Sequence, residues 1–293
     1  MTAIQANGIT IEYDTFGSPE NQALLLVMGL GTQMIGWRPE FCQGLADQGL
    51  YVIRYDNRDV GLSEKFGQLG APDVIAMATA FASGQKPEAP YSLADMAADG
   101  IGLLDALSID QAHICGASMG GMIVQTMAIN APERIRSMTS IMSTTGNPDL
   151  PPPTGEAMAA LLLPGATERE AAVQRMIKIA RAIGSPDYPA PEEELRERAG
   201  EAYDRCSYPE GATRHIAAIA AQENRKAALE SLRVPALVIH GQADELVTVE
   251  GGIDTHEALT GSELMVIEGM GHDLPETLWP QIINRIGGLT RAH

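Results

Sequence analysis

Cysteine is scarce in this chain of 293 residues: Cys42, Cys115 and Cys206 are the only three, and no Cys-x-x-Cys spacing occurs. An odd number at such separations excludes a disulfide framework and a thiolate metal site, and all three are expected as buried thiols. Basic side chains are also few. Against 38 aspartates and glutamates stand 20 lysines and arginines, a formal net charge of −18. Such a field repels polyanions, so neither nucleic acid nor an anionic membrane surface is expected as a partner. No run of 18 apolar residues is present to span a bilayer. Met1 to Thr10 has neither the basic start nor the apolar stretch of a signal peptide, and a cytoplasmic location is the expectation. Internal repeats and low-complexity tracts are absent too.

What the chain does have is apolar residues, 45% of the total, enough to bury one large α/β core. Ala3 to Ala6 and Ile9 to Tyr13 flank Asn7-Gly8, a pair that tolerates positive φ and so predicts an antiparallel hairpin. Ala23 to Met28 and Tyr51 to Tyr55 are short continuous apolar runs separated by a helical stretch, Pro39 to Gln48, which reads as a strand-helix-strand unit. Ser92-Leu93-Ala94-Asp95 has capping-box spacing ahead of a helix that would bury Leu93, Met96, Ile101, Leu104 and Leu107. Further strands are expected at Ala112 to Cys115, Ile135 to Met142, Ala236 to His240 and Leu264 to Ile267. Continuous apolar strands imply burial on both faces, hence a mostly parallel sheet of about eight strands with helices on either side. From Thr145 to about Ala228 the alternation stops. Pro151-Pro152-Pro153 opens a stretch with helical periodicity at Ala171 to Ile183 and Glu192 to Tyr203, predicting a helical insertion above the carboxyl edge of the sheet.

Gly116-Ala117-Ser118-Met119-Gly120 joins the strand Ala112 to Cys115 to the apolar helical run Met119 to Ile129. Strand, sharp turn and helix in that order leave a serine hydroxyl exposed at the strand end, beside unpaired N–H groups of the helix N-terminus that suit a developing oxyanion. A serine hydroxyl needs a neighbouring base, and the base needs a carboxylate to fix its tautomer. Asp244 follows one downstream strand and His272 the next, so each lies at the same sheet edge as Ser118. Asp149, beyond the strand Ile135 to Met142, is an alternative carboxylate. The bland readings are a helix-capping role for Ser118 and Asp244 and a solvent-exposed turn for His272. His113, His215, His240, His256 and His293 lack a strand-end position and read as structural or surface groups. Asp56, Arg58 and Asp59 read as turn-stabilising residues.

The order Ser118, Asp244, His272, the HGQADELV and GMGH turns and the RYDNRDVGLS segment resemble the α/β-hydrolase superfamily over nearly the whole chain. The resemblance implies an α/β-hydrolase fold with its core at 1–144 and 229–293, and the helical insertion read at 145–228 is expected as a cap over it. It also implies an oxyanion hole built from two backbone N–H groups, those of Met119 and of Leu30 in the loop Met28-Gly29-Leu30-Gly31. Met28 stands where the family usually has histidine, which removes that side chain's loop-bracing role. The Met-Gly loop resembles that of small-molecule esterases, including methylesterases of polyketide pathways. Met28, Met34 and Trp37 are candidates for an apolar substrate pocket.

The implied activity is serine-dependent hydrolysis of a carboxylic ester of a small to medium apolar molecule, needing neither metal nor organic cofactor. Alternatives on the same triad are a cofactor-free perhydrolase, suggested by the Ser-Met-Gly-Gly ending, a lactonase or a carbon–carbon bond hydrolase. A ligand-binding protein on the hydrolase fold is the non-enzymatic alternative. The expected partner is a small-molecule ester; oligomeric state is left open, with a homodimer one option.

Overall fold

The computed structural model describes residues 2–73, 76–77 and 87–293. Its centre is an eight-stranded sheet in the order β1-β2-β4-β3-β5-β6-β7-β8. The strands are β1 (Thr2–Ala6), β2 (Ile9–Phe16), β3 (Gln22–Val27), β4 (Leu50–Tyr55), β5 (Ala112–Ala117), β6 (Ile135–Ile141), β7 (Ala236–Gly241) and β8 (Glu263–Ile267). β1 and β2 form the antiparallel hairpin expected around Asn7-Gly8, where both residues have positive φ, and β2 is antiparallel to β4. From β4 onward every pairing is parallel.

Period-two alternation of continuous apolar runs produces two cores, one on each face of the sheet. Leu25, Val27, Ile53, Ile114 and Val238 point into the first, while Leu24, Leu26, Val52, Cys115, Leu237 and Ile239 point into the second. Helices α2 (Leu93–Ala106) and α3 (Met119–Asn130) cover the first with Met96, Leu104, Ile123 and Met127. The second is closed by α1 (Pro39–Ala46) and α10 (Trp279–Ala292) with Phe41, Leu45, Ile282 and Ile286. Leu24, Leu25 and Leu26 are essentially inaccessible, and each such side chain contributes about 1.5–3 kcal/mol relative to exposure. α2 starts at a full capping box: Ser92 Oγ accepts from Asp95 N, and the Asp95 carboxylate accepts from Ser92 N.

Between β6 and β7 the chain is helical: α4 (Gly155–Leu161), α5 (Arg169–Ile183), α6 (Glu192–Arg205), α7 (Pro209–Ala220) and α8 (Lys226–Glu230). α9 (Val249–Ala258) then links β7 to β8. After β3 the chain moves outward to β4 and returns to place β5 on the other side of β3, so strand order reverses at the β3–β5 boundary. That reversal opens a crevice at the carboxyl ends of the two strands, the place where open α/β sheets accept ligands. No helix among the described residues is long and apolar enough to cross a membrane. Cys42 and Cys115 are buried, whereas Cys206, expected to be buried as well, is half-buried because it terminates α6 near the surface.

Candidate active site

β5 ends at Ala117 and α3 begins at Met119, so Ser118 alone makes the turn, at φ 56° and ψ −121°. A non-glycine residue held there costs on the order of 1–3 kcal/mol and persists only where its surroundings fix it. Ser118 N donates to Ile141 O at 2.9 Å, and Ser118 O accepts from Ser143 Oγ at 2.8 Å. The flanking glycines are sterically required. A Cβ at Gly116 would lie 2.1 Å from Gly120 O, and one at Gly120 would lie 2.1 Å from Val27 O on β3. Close approach of backbone to backbone is therefore what brings the serine to the β3–β5 crevice.

His272 lies just beyond β8. Its Nε2 is 2.9 Å from Ser118 Oγ, and its Nδ1 is 2.7 Å from Asp244 Oδ2. Asp244 follows β7 directly and is almost fully buried. Its Oδ1 accepts from the N–H groups of Leu246 at 2.9 Å and Val247 at 2.8 Å, which leaves Oδ2 for the imidazole. Burial alone would raise the Asp244 carboxyl, but the imidazoles of His272 and His240 beside it outweigh burial and hold it well below the usual carboxylate range. A carboxylate kept ionised makes Nδ1 the protonated nitrogen of His272 and leaves Nε2 as a lone pair facing the hydroxyl, the arrangement required of a general base. Asp149, the alternative acid, is exposed and its N–H bonds only Asn147 Oδ1, so it takes no part in this relay.

The loop after β3 meets the same serine. A Cβ at Gly29 would stand 3.2 Å from Ser118 Cβ and 3.7 Å from its Oγ. The N–H groups of Leu30 and Met119 have no acceptor among the described residues. Two such donors beside a serine hydroxyl are what an oxyanion site would require. Among the pocket candidates, Met28 retains 8% exposure while its carbonyl accepts from Asn57 Nδ2 at 2.9 Å. Met34 and Trp37 require a correction. Both have 0% exposure, and Trp37 stacks on Phe41 at 5.5 Å in the second core, so they support the loop from beneath and line no open space.

Several residues that position this site were not distinguished in the sequence. His272 N donates to Ile183 O at 2.7 Å, and Ser185 Oγ accepts from Gly271 N at 2.9 Å while donating to the Asp273 carboxylate. Thr154 N donates to Glu245 O at 2.9 Å, next to Asp244. Gln33 Nε2 donates to Ala202 O at 2.6 Å and Cys206 O at 2.9 Å. Each of these bonds ties a strand-end loop of the site to the helical segment between β6 and β7. Such pairings join residues more than 80 positions apart and leave no local signal. His240, read as structural, packs beside the acid with Nε2 2.8 Å from Val247 O and 3.5 Å from Asp244 Oδ2. Asp56 and Asp59 do stabilise turns as expected, through Met34 N, Leu62 N and Phe66 N, and both also pair with arginines of the helical segment, Arg205 and Arg214. No group of three or more His, Cys, Asp or Glu side chains among the described residues is arranged to hold a metal ion.

Comparison with known proteins agrees with this architecture. The chain is 27% identical to rhodomycin D methylesterase DauP of a Streptomyces species over 99% of its own length and 97% of that protein. It is 28% identical to 3-oxoadipate enol-lactonase 2 of Acinetobacter baylyi, covering 90% of this chain and 87% of that one. A solved meta-cleavage product hydrolase from Pseudomonas fluorescens superposes with a TM-score of 0.78 at 20% identity, over 100% of this chain and 98% of the other. The family model described as the alpha/beta hydrolase fold matches residues 22–277. With its sheet order, its serine elbow and that match, the chain belongs to the α/β-hydrolase family.

Proposed function

We propose that this protein hydrolyses carboxylic esters of small to medium, largely apolar and uncharged molecules through an acyl-enzyme on Ser118. The observation that carries the proposal is the continuous relay from Ser118 Oγ through His272 to Asp244, with both contacts under 3 Å. Ser118 attacks the ester carbonyl as His272 Nε2 takes its proton. The oxyanion forms against the N–H groups of Leu30 and Met119, each worth on the order of 2.7–4 kcal/mol in the transition state. His272 then protonates the departing alcohol, the C–O bond breaks, and water activated by the same imidazole releases the acid. Serine at the elbow, where a carboxylate would give an alkyl-ester intermediate, directs the chemistry to acyl transfer.

Residues 145–228 are proposed as the cap whose inner face sets acyl and alcohol preference. The likeness to a methylesterase supports methyl esters as the first substrates to assay. The comparable identity to an enol-lactonase supports lactones as the second. A panel of p-nitrophenyl, methyl and lactone substrates graded by acyl length, run beside Ser118→Ala, tests the reading. Turnover by the wild type with loss of several orders of magnitude in Ser118→Ala is expected. A wild type that binds such molecules without turning them over would make the protein a ligand receptor on the hydrolase fold.

A further inference from the structure

The loop that carries the Leu30 donor is held by a side chain far away in sequence. His215, on α7, is fully buried, and its Nδ1 lies 3.1 Å from Gly31 N while its Nε2 lies 2.8 Å from Arg58 O. Those partners fix its proton. A carbonyl at Nε2 demands N–H there, so Nδ1 is a lone pair and accepts from Gly31. Burial lowers the imidazole to about 4, in keeping with a neutral ring serving as acceptor. α7 is pressed directly onto the loop: a Cβ at Gly31, whose φ is +60°, would lie 3.1 Å from Ala212 Cβ.

Two successive peptide groups of the loop are thereby pinned. In the group joining residues 30 and 31, Leu30 O accepts from Thr32 Oγ1 at 3.1 Å and Gly31 N donates to His215. In the group joining residues 29 and 30, Gly29 O accepts from Thr32 N at 3.3 Å, and Leu30 N–H on the opposite side has no acceptor among the described residues. Without an acceptor at His215 the Gly31 N–H would lose the partner that fixes its peptide, and rotation of that peptide toward another acceptor would turn the adjoining Leu30 N–H away from the serine. We infer that His215 is the positioning residue of the oxyanion loop, supplied by the segment between β6 and β7, and that it fills the bracing role left open by Met28. This inference rests on the esterase reading, since its consequence is an N–H aimed at the oxyanion.

Matched amides separate this role from packing. The side chain of His215→Asn sets an oxygen where Nδ1 stands and can accept from Gly31 N. That of His215→Gln reaches Arg58 O and preserves volume but offers Gly31 no acceptor. With a p-nitrophenyl ester, kcat of His215→Gln is expected to fall about tenfold or more, part of the roughly 10²–10³ lost when an oxyanion donor is removed outright, with KM within about threefold. His215→Asn is expected to restore most of kcat, and affinity for a boronic acid that forms a tetrahedral serine adduct should follow kcat across the series. Thermal unfolding is recorded alongside. A folded His215→Gln with wild-type kcat would overturn the inference, as would losses that track melting temperature irrespective of which nitrogen is mimicked. A wild type without esterase turnover would instead overturn the underlying reading, whatever the His215 variants do.

Discussion

Replacing Asp244 by asparagine should leave the site in place and reverse its proton. In the native arrangement Oδ1 is committed to the N–H groups of Leu246 and Val247, and Oδ2 receives the Nδ1 proton of His272 at 2.7 Å. In Asp244→Asn the amide oxygen must keep the two backbone donors, because the amide nitrogen cannot accept from them. That nitrogen then faces His272 with a donor. Two donors cannot face one another, so His272 takes the proton on Nε2 and donates to Ser118 Oγ at the moment it should be accepting. The expected loss in kcat is about 10⁴-fold, or ~5.4 kcal/mol of transition-state stabilisation, with KM nearly unchanged. Loss of a carboxylate held below its ordinary range should also cost on the order of 1–3 kcal/mol of stability near neutral pH. Single-turnover kinetics with a p-nitrophenyl ester, beside urea unfolding of the same preparation, measures both. A folded variant retaining more than about a tenth of wild-type kcat would refute the tautomer argument.

Gly120→Ala should fail for a different reason: its new methyl would meet Val27 O at 2.1 Å, and neither β3 nor α3 can yield, so the unfolding free energy read from urea titration should drop by about 3 kcal/mol. Asp59 is buried, and although burial alone would raise its carboxyl, hydrogen bonds from Arg214, Phe66 and Tyr91 hold it below 3.8; Asp244 is depressed likewise. Both carboxyls bind fewer protons folded than unfolded, so they add stability that is present above pH ~4 and lost as pH falls through their folded values. Asp99 and Asp273, raised by burial, act in the opposite sense above 3.8. Melting temperature should therefore climb up to pH ~4 as these carboxyls ionise and go on rising to about 6.5, because burial holds His113 and His215 at about 4 in the fold; Asp59→Asn should flatten only the limb below pH ~4, and an unchanged limb there would contradict the assignment.

Much of the fold was legible because its central strands are buried on both faces. Runs such as Leu24-Leu25-Leu26 and Leu237-Val238-Ile239 carry no polar interruption, and strand bounds differ from expectation by one or two residues except at β2, which runs three residues past Tyr13. Asn7-Gly8 and Ser92 announced their turn and cap through local chemistry alone. The relay was legible because its members each end a strand at one sheet edge, a consequence of parallel topology. What was not legible is whatever depends on docking. Met34 and Trp37 sit next to the oxyanion loop in sequence, yet a 3-10 turn at Met34–Gly36 folds them down into the core. His215 looked like any apolar-face histidine, because its partners, Gly31 and Arg58, are 184 and 157 residues away. Periodicity located α5 and α6 to within two residues of their bounds but carried no trace of the bonds from Ile183 and Ser185 to the His272 loop.

A covalent acyl group on Ser118 is the quantity the whole mechanism requires. Incubating the protein with an activated ester or a fluorophosphonate, then mapping the modified peptide by mass spectrometry, measures it directly. One adduct per chain on the peptide containing Ser118, absent from Ser118→Ala and slowed in His272→Ala, is the predicted result. Labelling that persists in Ser118→Ala, or esterase turnover with no acylated Ser118 under rapid acid quench, would contradict it.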